Sequence, residues 1–95
     1  MSQSLQTLDL CYGNLTYIEP GAFSSLKQLI KLNLSVNKLI WLDKGTFDGP
    51  TNLQELDLTH NSFNEINQDM FVSNDSMFGL KSLKCLKLSP LKSIE

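Results

Sequence analysis

His60 is the only histidine in the chain, with Asp57 three residues before it and Ser35 further upstream. Those residue types could supply the base, orienter and nucleophile of acyl transfer, and Asp9, Asp57 and His60 could ligate a metal. Either chemistry needs the groups to converge in an enclosed site, and acyl transfer also needs an oxyanion hole. The surrounding residues predict otherwise. Each candidate lies in or just after a short L-x-L segment, which reads as a strand with its polar residues on an open face. Asp9 and Asp57 fall two strands apart, about 10 Å. The chain has no C-x-x-C and no glycine-rich phosphate loop. The expectation is a protein that is not an enzyme and that needs no cofactor or metal.

The remaining reactive groups are two cysteines and three sugar acceptors. Cys11 follows the first strand segment and Cys85 lies within the last, so three strand spacings, roughly 14 Å, separate them. A disulfide needs Cα atoms within about 7 Å, so none is expected between them in a regular stack. The sequons are Asn14-Leu15-Thr16, Asn33-Leu34-Ser35 and Asn74-Asp75-Ser76. Three in 95 residues suit a secreted glycoprotein.

The elements that position these groups come from a repeat. Leucines recur as Leu5, Leu8, Leu10, then Leu29, Leu32, Leu34, then Leu53, Leu56, Leu58, then Leu83, Leu86, Leu88. Leu15, Leu39 and Phe63 align downstream, as do Ile18, Leu42 and Ile66, and Phe23, Phe47 and Phe71. A three-residue strand cannot bury its apolar face alone, so the copies must stack in parallel and share one core. The predicted units are residues 5–28, 29–52, 53–82 with an insert at 72–77, and a partial 83–95. The predicted fold is an α/β-type repeat solenoid, with short parallel strands on the concave face and irregular or 3-10 coil outside.

Composition fits this reading. Hydrophobic residues are 41% and charged residues 19%, so a core can form. Net charge is −2, which argues against general binding to a nucleic-acid backbone. No segment has the length or apolarity of a membrane span, and the first residues do not read as a signal peptide. With no cysteine-rich caps, the chain is expected to be an excised piece of something longer, with apolar ends exposed.

The pattern L-x-x-L-x-L-x-x-N-x-L, with "LNLSVNKL", "LDLTHNSF", "GAFSSLKQL" and "GTFDGPTNL", resembles the extracellular typical-type leucine-rich repeat, above all that of Toll-like receptor ectodomains. The resemblance covers nearly the whole chain. It implies innate sensing of a protein or microbial ligand and receptor homo- or heterodimerisation. It places the chain outside the cell or in an endosomal lumen, joined to a membrane only through a segment beyond these residues. Matrix or adhesion leucine-rich repeat proteins and engineered repeat scaffolds share the pattern. The resemblance also implies a ladder of buried asparagines at Asn37 and Asn61, bonded to backbone of adjacent coils. Gly13 and Leu91 depart from it, so repeat one is expected to satisfy its turn differently, with water as the candidate partner.

Two surfaces are candidates for recognition. On the concave face stand Thr7, Asp9, Tyr12, Lys31, Glu55, Asp57 and His60. On the lateral flank, Tyr17 and Trp41 hold one repeat position with Ile40 beside them, and exposed aromatics favour protein contacts. Asn14 is expected to point outward as a sugar acceptor. Asn33 should lie outward on the sheet, where a glycan would block protein ligands. The polar insert with Asn74 should bulge as a loop.

Overall fold

The computed structural model describes residues 4–71, Leu80 and residues 82–90. Four three-residue strands, β1 (Thr7–Asp9), β2 (Lys31–Asn33), β3 (Glu55–Asp57) and β4 (Cys85–Lys87), form one parallel sheet in sequence order. The register is exact along the leucines: Leu8 faces Leu32, Leu32 faces Leu56, and Leu56 faces Leu86. Alternation then sends the leucines to the core and the flanking residues to the other face.

Each strand is too short to return by a crossover helix. The chain comes back through turns, and among the described residues only Gln68–Phe71 closes a 3-10 turn. On that return side Phe23, Phe47 and Phe71 stack, with centroids 6.3 and 6.0 Å apart and planes within 8°. This column and the leucines enclose a continuous core that includes Leu26, Leu29, Leu34, Leu39, Leu42, Leu53 and Leu58. Burial is uneven along the stack. Leu32, Leu34, Leu56 and Leu58 are no more than 2% exposed, whereas Leu86 and Leu88 are each 38% exposed. Coils two and three have neighbours on both sides, while β1 and β4 are the edge strands. The inward ladder expected across all four repeats is therefore sealed only in the middle.

Gly49 shows how closely the returns pack. Its φ is +118°, and a Cβ there would lie 2.3 Å from the carbonyl oxygen of Phe23 and 2.7 Å from Ser24 Cα. Only glycine fits such a backbone approach. The expected insert at 72–77, with Asn74, and the departure at Leu91 lie outside the described residues.

Candidate functional site

The polar face of the sheet carries two aligned columns, Thr7–Lys31–Glu55–Cys85 and Asp9–Asn33–Asp57–Lys87. With the backbone at Leu8, Leu32 and Leu56 they line a groove of about 220 Å³. The second column is braced from within. Asp9, Asn33 and Asp57 each turn back so that Oδ1 accepts the N–H two residues on, from Cys11 at 3.0 Å, Ser35 at 2.9 Å and Thr59 at 3.0 Å. These are Asx turns, and they hold the acceptors at the C-terminal end of each strand. Lys87 occupies the fourth place and has no acceptor to repeat the turn.

The same turns fix the candidate catalytic groups. Thr59 Oγ1 also donates to Asp57 Oδ1, at 2.7 Å, so this carboxylate is committed to its own turn. His60 is exposed, and its backbone N–H donates to Ser89 Oγ. Among the described residues no group of three or more His, Cys, Asp or Glu is placed to hold a metal ion. Cys11 and Cys85 are thiols on opposite sides of the sheet, with β2 and β3 between. Hydrogen bonding to Asp9 pushes the Cys11 thiol above its ordinary pKa, and the hydrogen bonds from Cys11 hold Asp9 below the usual carboxylate value. Both effects keep Cys11 protonated and unreactive at neutral pH.

Beyond each strand one residue takes the left-handed conformation: Tyr12 at φ 56°, Val36 at 55° and His60 at 56°. Val36 is β-branched, so that conformation is strained for it. Pro90 holds the fourth place in the alignment, and its ring fixes φ near −65°. Repeat four therefore cannot turn as the others do. Tyr12 is 78% exposed at the edge of the groove, so of the sequence-predicted sheet-face residues it and His60 stand on turns rather than on strands.

The turn at Gly13 corrects the expectation of a different or watery solution. Gly13 and Leu15 donate their N–H groups to Asn37 Oδ1, at 2.9 and 3.0 Å. Asn37 Nδ2 donates to the carbonyls of Leu10, Leu34 and Ser35 at 3.0–3.1 Å. Asn61 does the same one coil later: it accepts from Leu39 N–H and donates to the carbonyls of Leu34, Leu58 and Thr59. Each asparagine thus completes the turn of the coil before its own. Gly13 leaves its own turn fully served, and Asn37 Oδ1 stands 3.1 Å from where a Cβ would be.

On the flank, Asp43 joins the two aromatics of adjacent coils. Its Oδ2 accepts from the Tyr17 hydroxyl, and its Oδ1 accepts from Trp41 Nε1 at 2.9 Å. Asp43 is itself held by a turn in which Thr46 Oγ1 donates to its carbonyl at 2.8 Å. Tyr17, Ile40 and Trp41 stay 50%, 60% and 42% exposed. The sequence placed the two rings together but did not show the carboxylate between them. The signal was there, since Glu19, Asp43 and Asn67 share one repeat position two residues after the Tyr17–Trp41 column.

Of the sugar acceptors, Asn14 is exposed with φ 54°. Asn33 is half-buried in the groove, with its Oδ1 engaged by Ser35.

The geometry defines a protein built on stacked leucine strands with a polar recognition face. A leucine-rich repeat family model matches residues 3–63 and 41–90. The chain belongs to the leucine-rich repeat family. It is 41% identical to Toll-like receptor 5 of Homo sapiens over 73% of this chain and 8% of that protein. It is 38% identical to Tsukushi of Mus musculus over 75% of the chain and 20% of the relative. With keratocan of Mus musculus it shares 29% identity over 84% of the chain and 25% of the relative. The chain spans a quarter or less of the length of these curated relatives.

Proposed function

We propose that the chain is a non-catalytic recognition module, part of the ectodomain of an innate immune receptor that binds a microbial ligand outside the cell or in an endosome and dimerises. Its coils continue as a short solenoid arc with the sheet on the concave side, and Lys31, Glu55 and Asp57 face the ligand there. The observation that carries this reading is the groove itself. Its charged side chains stand in strand register, and their acceptors are braced by Asx turns, so little order is lost on binding. The likeness to a Toll-like receptor supports the receptor assignment.

The test is retention of components from a solubilised bacterial surface extract on the immobilised, secretory-expressed chain. The expected result is capture by the native protein and loss of capture by a Lys31→Glu, Asp57→Lys double variant. Equal capture by both proteins would sink the sheet-face assignment. Intact mass before and after peptide N-glycosidase checks the compartment, and a secreted chain without glycan at Asn14, Asn33 or Asn74 would count against it. A matrix or adhesion role is the second reading, favoured by the likeness to Tsukushi and keratocan. Retention of extracellular-matrix components in place of bacterial ones would select it.

A further inference from the structure

The lateral flank carries a second recognition site, of different chemistry from the groove. Tyr17 and Trp41 come from adjacent coils, yet both polar ends point at one carboxylate, that of Asp43. This fixes the rings and leaves much of their surface to solvent, with Ile40 exposed beside them. Rings held in advance cost little entropy when they bind. An ionised carboxylate offers about four lone-pair positions, and the two aromatic donors fill two of them. The surroundings are negative: Glu19 lies at the Asp43 position of coil one, and Glu65 at the Trp41 position of coil three. Hydrogen bonding to Asp43, with a smaller push from Glu19, raises the Tyr17 phenol above its ordinary pKa, so it remains a donor at physiological pH.

We propose that this clamp binds an arginine side chain of a protein partner. The guanidinium lies over an aromatic face and donates to the unused lone pairs of Asp43. A planar cation with several N–H donors satisfies both demands at once, which a neutral sugar or an apolar side chain does not. Ile40 packs against the aliphatic stem. The site goes beyond the groove reading and stands without it.

Trp41 is the only tryptophan, so intrinsic fluorescence reports on the clamp directly. The probe is an acetyl-Gly-Arg-Gly amide peptide, with the citrulline peptide as its neutral counterpart and methyl glucoside as a sugar. The arginine peptide is expected to give a saturable change in Trp41 emission in the millimolar range. Asp43→Asn should weaken its binding about tenfold or more, since a charge-assisted pair becomes neutral. Asp57→Asn, on the sheet face, should leave it unchanged, which separates this site from the groove. Circular dichroism and thermal unfolding verify that both variants fold. If Asp43→Asn does not fold, Glu19→Gln and Glu65→Gln together should weaken the arginine response while the citrulline response stays flat. Equal responses to arginine and citrulline, a stronger response to the sugar, no saturable response, or no effect of the charge variants would overturn the proposal.

Discussion

Asn37 offers the sharpest test of how the coils hold together. It is 8% exposed and makes five hydrogen bonds, two accepted and three donated, across two coils. Asn37→Ala orphans the N–H groups of Gly13 and Leu15, and an unsatisfied buried donor costs about 1–3 kcal/mol. The expected loss is therefore about 2–5 kcal/mol, against about 5–14 kcal/mol for a domain of this size. Asn37→Asp separates the two halves of the amide. It keeps an acceptor for Gly13 and Leu15 but sets a carboxylate oxygen against three carbonyls. The two N–H donors favour the charge, whereas burial and the three carbonyls oppose it and should prevail, raising the folded pKa above the unfolded value of about 3.9. A raised carboxyl pKa means the folded state binds the extra proton between the two values. Stability is then present below the unfolded pKa and is lost as pH rises through the folded one, at up to about 1.4 kcal/mol per pH unit. Urea unfolding of both variants at pH 7 and pH 4.5, followed by circular dichroism, reads this out. The Asp variant should be at least as weak as the Ala variant at pH 7 and should recover relative to it at pH 4.5. An Ala variant within about 1 kcal/mol of native would refute the reasoning. So would an Asp variant whose deficit grows as pH falls.

Three further outcomes are expected. Gly49→Ala should cost about 2–5 kcal/mol from steric overlap with Phe23 and Ser24 plus strain, whereas Gly21→Ala, with φ +82° and open space around it, should cost about 1 kcal/mol; equal urea midpoints for the two would show that the close approach is not rigid. Val36→Asn should raise stability by about 0.5–1 kcal/mol, because asparagine tolerates the left-handed conformation that strains valine; an unfolding midpoint at or below native would contradict the strain argument. Asp9→Asn in a Cys85→Ser background should speed alkylation of Cys11 near pH 8, since the carboxylate that raises the thiol pKa is gone; an unchanged rate would mean that access and not charge governs this thiol.

The strand positions and their parallel pairing were legible in the sequence, because Leu8, Leu32, Leu56 and Leu86 announce themselves by period two within a repeat. The phenylalanine column followed from the same alignment. The direction of service by Asn37 and Asn61 was not legible. It depends on which neighbouring coil a short side chain can reach, and a linear pattern treats both neighbours alike. The left-handed residues were hidden for a related reason. Tyr12, Val36 and His60 share no side-chain chemistry, so only the backbone shows that they share a conformation. The Tyr17–Asp43–Trp41 clamp depends on a contact 26 residues apart, which needs the spacing between coils as well as the alignment.

The backward reach of the asparagines gives the stack a direction in time. A coil leaving the ribosome has its strand leucines and its turn, but the group that closes that turn is still unsynthesised. Coil one becomes complete only when Asn37 emerges, and coil two only when Asn61 does. Growth from the N-terminus therefore proceeds by each new coil locking its predecessor, with a single unlocked coil at the growing end. A chain paused between residues 29 and 36 should remain more susceptible to protease around Gly13 than one paused after Asn37.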